Sequence, residues 1–348
     1  MGTTALLAIF LAAAGATWIA GVALADATDA IDDRFNLGEA IGGLILLGVA
    51  GTLPELAITA SAAVSGNFGI AAGNLLGGIA MQTLVLALMD ATSGSRSPLS
   101  SMSKVLEPII EAAFVIILVS FALMGTLLPE SATIGSVSPA SLMIVVFWLF
   151  GLMVLNRLRS AERWQVADAA TSASMMVPVV AAKDATNRYA GASTAKVLIV
   201  FGICAAVTLV AGVVLEQTGN DLANAWGVNG VVFGATVLAV VTALPEISTG
   251  IRAVRTGHVG LAMGDIFGGN QVQMTLFLLA DLLAGKAVLP AVDASSTWLG
   301  GIGVVVTAIY AGGLILRPPK KIAGMGGDSW IVLLLYIFGI AGLLVLAS

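Results

Sequence analysis

Charge is scarce in this chain. Of 348 residues, only 10% are Asp, Glu, Lys or Arg, 58% are hydrophobic, and the mean hydropathy is +1.03. An average soluble domain carries roughly 25% charged residues, so a water-soluble globule is excluded. Cys204 is the single cysteine, which excludes a disulfide or a cysteine-based metal site. It falls in an apolar run and reads as a small apolar filler. His258 is the single histidine and reads as part of a short loop. Its solitude removes HExxH zinc sites and Ser-His-Asp triads. With 15 basic against 20 acidic residues and a net charge of −5, no basic patch of the kind nucleic acid requires is present. No resident cofactor is expected.

Apolar runs fill the rest. Stretches of about 18 or more residues, enough to cross hydrocarbon as a helix, recur near 4–24, 39–63, 69–92, 106–128, 138–156, 195–216, 229–252, 260–283, 297–315 and 329–347. Backbone groups in lipid must be satisfied within the segment, so these runs are expected to be helices. The chain is read as an all-α polytopic protein with the lipid bilayer as its partner. The first run ends in a small-residue stretch that resembles a signal cleavage site, but no positive residue precedes it, and retention is expected.

Cytoplasmic loops carry the excess of Lys and Arg. With the amino terminus outside, every basic residue but Lys286 falls on a cytoplasmic connection or helix end. The expectation is therefore a multi-pass inner-membrane protein with ten spans and both termini extracytoplasmic. Residues 157–194 form the one long polar connection and read as a linker. They divide the chain into a first five-helix half, 1–156, and a second, 195–348. The run from Asp26 to Glu39 reads as a solvated acidic loop.

A shift of 191 residues superposes two stretches without a gap: Leu53-Pro54-Glu55 on Leu244-Pro245-Glu246, Gly73 on Gly264, Gly77-Gly78 on Gly268-Gly269, Gln82 on Gln273, and Asp90 on Asp281. The glutamates lie on spans 2 and 7. An odd number of spans between them reverses direction through the bilayer, so the halves are inverted-topology repeats, which place a substrate site near the midplane where they meet.

Proline at 54 and 245 has no N–H, so the carbonyls of Ala50 and Val241 lose their usual helical donor. Those oxygens can face a cation. A carboxylate within a membrane is costly and marks a functional site by default. Glu55 and Glu246 together supply two negative charges, and with freed carbonyls they make an all-oxygen site suited to a hard dication such as Ca²⁺. The repeated glycines would let spans 3 and 8 approach spans 2 and 7. Gln82 and Gln273 either complete the shell or hydrogen-bond between helices. Asn74 and Asp265 are either helix caps or groups lining the ion entrance. Glu107 and Glu111 read as interface-level charges.

The repeated Leu-Pro-Glu step, with Gly51-Thr52 before one copy and Thr242-Ala243 before the other, followed by Gly73-Asn74 or Gly264-Asp265 and a paired glycine, resembles the cation/Ca²⁺ antiporter superfamily of Na⁺/Ca²⁺ and H⁺/Ca²⁺ exchangers. Its two alpha repeats resemble residues 47–90 and 238–281. The resemblance implies a sodium/calcium-exchanger-like fold, Ca²⁺ held by Glu55 and Glu246, and spans 1 and 6 sliding over a core of spans 2, 3, 7 and 8. Sodium exchangers of this kind carry Thr-Ser before Leu-Pro-Glu, whereas Gly51-Thr52 and Thr242-Ala243 stand here. Their Gly-Ser serine is replaced by Gly78 and Gly269, and their Asn or Asp on helices 3 and 8 by Gln82 and Gln273. Several hydroxyl ligands for Na⁺ are thus missing, although Thr52, Thr242 and backbone carbonyls could still serve. The counter-ion is H⁺ or Na⁺.

Two other classes compete. A cation channel would use the same acidic midplane as a pore lining. An intramembrane aspartyl protease is disfavoured, because position 262 is alanine and the Gly-x-Gly-Asp arrangement is absent.

Overall fold

The computed structural model describes residues 2–35, 48–103, 106–161, 189 and 191–347. Most of the expected linker and the first part of the second expected span lie outside the described residues. The described chain is almost entirely helical, with no strand beyond two isolated bridges. The helices are α1 (Thr3–Phe35), α2 (Leu53–Ser65), α3 (Phe68–Thr92), α4 (Glu107–Thr126), α5 (Pro139–Ala161), α6 (Thr194–Trp226), α7 (Leu244–Arg255), α8 (Val259–Ala284), α9 (Ala294–Leu316) and α10 (Gly327–Leu346). Single turns, Gly48–Gly51 before α2 and Leu99–Met102 before α4, accompany them.

Seven helices are long and apolar enough to cross a membrane, and an eighth is the bent pair Gly230–Thr242 plus α7. The chain is therefore a multi-pass membrane protein. The other two expected spans correspond to α2, only 13 residues long, and to α8, which carries Asp265, Asn270, Gln271, Gln273 and Asp281 along its length.

Capping explains several ends. The Ser193 hydroxyl accepts from the Lys196 amide at 3.3 Å and starts α6, and the Asp293 carboxylate accepts from the Ser296 amide at 3.1 Å and starts α9. Gly66 closes α2 with φ +77°, and Gly257, 191 positions on, follows α7 with φ +89°. This left-handed conformation costs glycine little and ends a helix sharply.

Two expectations need correction. α1 and α6 are each 33 residues, longer than the runs 4–24 and 195–216. The acidic stretch from Asp26 is not a solvated loop: it continues α1 to Phe35, and Asp26 is buried. Hydropathy stops where polar residues begin, but a helix does not, provided that each polar group finds water or a partner. Asp26 finds Arg252, with which it is ion-paired.

The largest apolar cluster is built mainly from α3, α4, α8 and α9, and a second joins α1, α6 and the segment before α7. Contacts between helices come in exchanged pairs. α3 packs on α9 as α8 packs on α4, α3 on α10 as α8 on α5, and α2 on α6 as α7 on α1. α3 and the segment Gly230–Thr242 approach closely. A Cβ at Gly77 would stand 2.5 Å from the Ala235 Cβ, so only glycine allows this spacing.

Asp90 and Asp281 tie loops to the ends of α3 and α8. Asp90 accepts from the amides of Leu99 (2.8 Å) and Gly326 (2.6 Å) and from the Ser329 hydroxyl (2.8 Å). Asp281 accepts from the amides of Ser138 (2.9 Å) and Val288 (2.6 Å). Only Asp90 also faces a lysine, Lys321, at 3.0 Å.

Candidate functional site

Each Pro-Glu step sits in the first turn of a helix, with the break just before it. Thr52 separates the turn Gly48–Gly51 from α2, and Ala243 separates Gly230–Thr242 from α7 at a bend of 44°. A π-helical turn over Gly234–Leu238 adds to the irregularity of the second break. Such breaks in a membrane-spanning helix are tolerated where they line a cavity or pack against protein.

The two glutamates are nearly closed off from solvent, Glu55 at 1% and Glu246 at 6% exposure. They lie close enough for their charges to interact. Neither oxygen of Glu55 has a hydrogen-bond partner, nor has the Glu246 Oε2. Thr242 stands beside the Glu55 carboxyl, its hydroxyl turned to the Ala239 carbonyl at 3.4 Å. Thr52 likewise donates to the carbonyls of Gly48 (3.0 Å) and Val49 (3.3 Å). A hydroxyl that donates to the backbone keeps its lone pairs as acceptors.

A small cavity lies against Glu246, bounded by Asp265, Thr249, Ala50, Pro54, Pro245 and Gly21. Ala50, expected to present a freed carbonyl, is thus on its wall, while Val241 is buried at 9% exposure and does not line it. No three acidic, His or Cys side chains converge tightly enough among the described residues to grip one ion together. The carboxylates therefore come as successive pairs, Glu55 with Glu246 and Glu246 with Asp265.

Gln82 and Gln273 meet across the two halves: the Gln82 Nε2 donates to the Gln273 Oε1 at 3.3 Å, and the Gln273 Nε2 donates to the Leu75 carbonyl at 2.7 Å. Interhelical hydrogen bonding is the role visible here. Neither Asn74 nor Asp265 caps a helix; Asn67 and His258 occupy the capping positions of α3 and α8. Asp265 lies on the cavity wall and Asn74 is fully buried.

Several polar residues escape a reading by repeat. Glu111 is buried at 1% exposure rather than at an interface, and its backbone carbonyl accepts from the Gln271 Nε2 at 3.3 Å. Asn270 is fully buried, with both amide atoms lacking a hydrogen-bond partner. Glu216 on α6 accepts from the Ser61 hydroxyl (2.7 Å) and the Asn67 amide (2.8 Å). Thr249, beside Asp265, donates to the Pro245 carbonyl at 3.0 Å. A hydroxyl one turn beyond the proline was the available signal for Thr249; the others have no matching residue in the opposite repeat.

Known proteins resemble this chain over most of its length. An inner membrane protein of Escherichia coli, YrbG, is 24% identical over 89% of this chain and 90% of its own length. A putative antiporter, CaxA, from Alkalimonas amylolytica is 25% identical over 74% of this chain and 73% of its own. The crystal structure of the H⁺/Ca²⁺ exchanger CAX superposes with a TM-score of 0.64 at 15% identity, covering 98% of this chain and 87% of that one. The sodium-calcium exchanger NCX_Mj, soaked with 10 mM Na⁺ and zero Ca²⁺, superposes with a TM-score of 0.61 at 17% identity, covering 98% and 99%. These likenesses establish the exchanger-like fold. A family model described as sodium/calcium exchanger protein matches residues 5–181 and 194–345, nearly the whole chain, and the chain belongs to that family.

Proposed function

We propose that this chain is a secondary-active antiporter that exchanges Ca²⁺, or a similar divalent cation, for H⁺ or Na⁺ by alternating access at Glu55 and Glu246. The observation that carries this reading is the pair itself. Two buried carboxylates, each delivered by a Pro-Glu step 191 residues from the other, lie near one another with three of their four oxygens lacking hydrogen-bond partners. Unpaired buried charge is strongly unfavourable, and a dication of matching charge with an all-oxygen shell removes the penalty. Thr52, Thr242 and the Ala50 and Val241 carbonyls supply further oxygens, and Gln82 and Gln273 hold α3 against α8 behind them. Cargo ions are the only small partners required, and no chemical reaction is catalysed.

In the membrane we read ten crossings as two inverted five-helix repeats, with α2 and α8 as crossings that protein shields from lipid. The basic residues favour termini outside in the inner membrane. In that topology Lys286, over the Phe68 ring at 4.7 Å, lies at the outer end, and the Lys321–Asp90 and Arg252–Asp26 pairs lie at the inner end. Alternating access then comes from α1 and α6 moving over the core of α2, α3, α7 and α8.

The test is Ca²⁺ flux from loaded proteoliposomes under an imposed Na⁺ gradient at equal pH, compared with an imposed pH gradient without Na⁺. Flux under either gradient that saturates with Ca²⁺ supports the antiporter and names the counter-ion. Flux that needs neither gradient, with unitary currents in a planar bilayer, would replace it with a channel.

A further inference from the structure

The two halves of the site are not equivalent, and the difference has a side. Asp265 and Asn74 occupy the same place in their repeats, 191 residues apart. Asn74 is fully buried on α3, whereas Asp265 is half-buried on α8 and opens onto the cavity that Glu246 also lines. Asp265 is the seventh residue of α8 and Asn74 the seventh of α3, helices that run in opposite directions in the proposed topology. An acid therefore stands toward one end of the pathway, on a cavity, and a buried neutral amide toward the other.

The cavity has the donors for an ion of its own. Glu246 is 94% buried, from 6% exposure, and its Oε2 lacks a hydrogen-bond partner. Asp265 adds a second carboxylate, close enough to interact electrostatically with Glu246. Thr249 spends its proton on the Pro245 carbonyl at 3.0 Å, which leaves hydroxyl lone pairs for a cation. Among the described residues, no basic side chain lines the wall. Two carboxylates and neutral oxygens match a hard dication.

We propose that Asp265, Glu246 and Thr249 form a second divalent-cation station at the inner mouth, and that the outer mouth lacks one because Asn74 stands there. This rests on the antiport reading above. Glu246 belongs to both pairs, so an ion passes from Asp265–Glu246 to Glu246–Glu55 by exchanging a single carboxylate. Entry from the inner side is thereby favoured over entry from the outer side at low Ca²⁺.

Ca²⁺ uptake in inside-out and right-side-out vesicles separates the two mouths. Asp265→Asn makes them alike, and the expected result is a rise in the inner-side KM of about tenfold, the loss of roughly one charged ligand, with the outer-side KM unmoved. Asn74→Asp is the converse variant and lowers the outer-side KM instead. Either sided shift supports the station. An equal change on both sides, or none on either in a well-folded Asp265→Asn protein, overturns it. If the wild-type protein neither binds nor moves Ca²⁺, the antiport reading itself fails, which the wild-type control distinguishes from failure of the station alone.

Discussion

Asp26 on α1 is ion-paired with Arg252 on α7. The repeat sets Arg252 opposite Ser61 and brings Asp26 within one residue of Glu216, and those two also meet, through the Ser61 hydroxyl and the Glu216 carboxylate at 2.7 Å. Each long helix is thus tied to the partner half's Pro-Glu helix by one buried acid. One tie is ionic and the other is a neutral donor to a carboxylate.

Removing one partner of the ionic tie should cost more than removing both. Arg252→Ala leaves Asp26 buried at 5% exposure without its cation, whereas Asp26→Asn with Arg252→Ala removes the charge as well. Arg252 is half exposed, so the coupling energy from the double-mutant cycle should be only about 1 kcal/mol. Thermal unfolding of the four proteins in detergent measures it, and a coupling of zero would detach the pair from stability.

Glu55→Gln and Glu246→Gln should each abolish divalent transport while leaving the protein folded, since the amide keeps the shape and removes the mutual repulsion. Saturating Ca²⁺ should stabilise the wild-type protein by about 2.7 kcal/mol at a hundredfold excess over Kd and stabilise neither variant. A thermal-shift titration reads this directly. Normal transport in either variant would refute the paired-glutamate site.

Gly77→Ala should destabilise the packing of α3 against the segment before α7, because the new methyl lands 2.5 Å from the Ala235 Cβ and 2.6 Å from its Cα. Overpacking of this kind costs about 1–3 kcal/mol. Adding Ala235→Gly removes the first clash and not the second, so the melting temperature should recover in part. Full stability of the single variant would mean that the helices are free to separate.

Asp90→Ala should be more damaging than Asp281→Ala. Both strip two backbone amides of a charged acceptor, at roughly 1.5–3 kcal/mol for each hydrogen bond. Only Asp90→Ala also removes the counter-charge of the largely buried Lys321, paired with that carboxylate at 3.0 Å, and leaves its ammonium only the Asp90 carbonyl and the Ser93 hydroxyl. Melting temperatures of the two variants side by side decide the ranking.

The duplicated Pro-Glu steps were legible in the sequence because each feature recurs in register: a carboxylate, a proline before it, and glutamine 27 residues after. Internal repetition stands in for a second sequence, and it singled out Glu55, Glu246, Gln82 and Gln273. The same logic hides whatever the repeats do not share. Arg252 maps onto Ser61 and Glu111 onto Ile302, so their roles follow only from which helices the fold brings together. Helix length was the other blind spot, since hydropathy records where lipid would be comfortable and α1 continues past that point on the strength of a tertiary ion pair.

α1 and α6 pack on each other more extensively than any other pair of described elements. At 33 residues each, they are rods of about 50 Å set in hydrocarbon about 30 Å deep. The surplus amounts to a built-in stroke. Under the proposed alternating access, the pair would travel several ångströms along the membrane normal before a polar end is dragged into the acyl chains, and bilayer thickness would limit its travel.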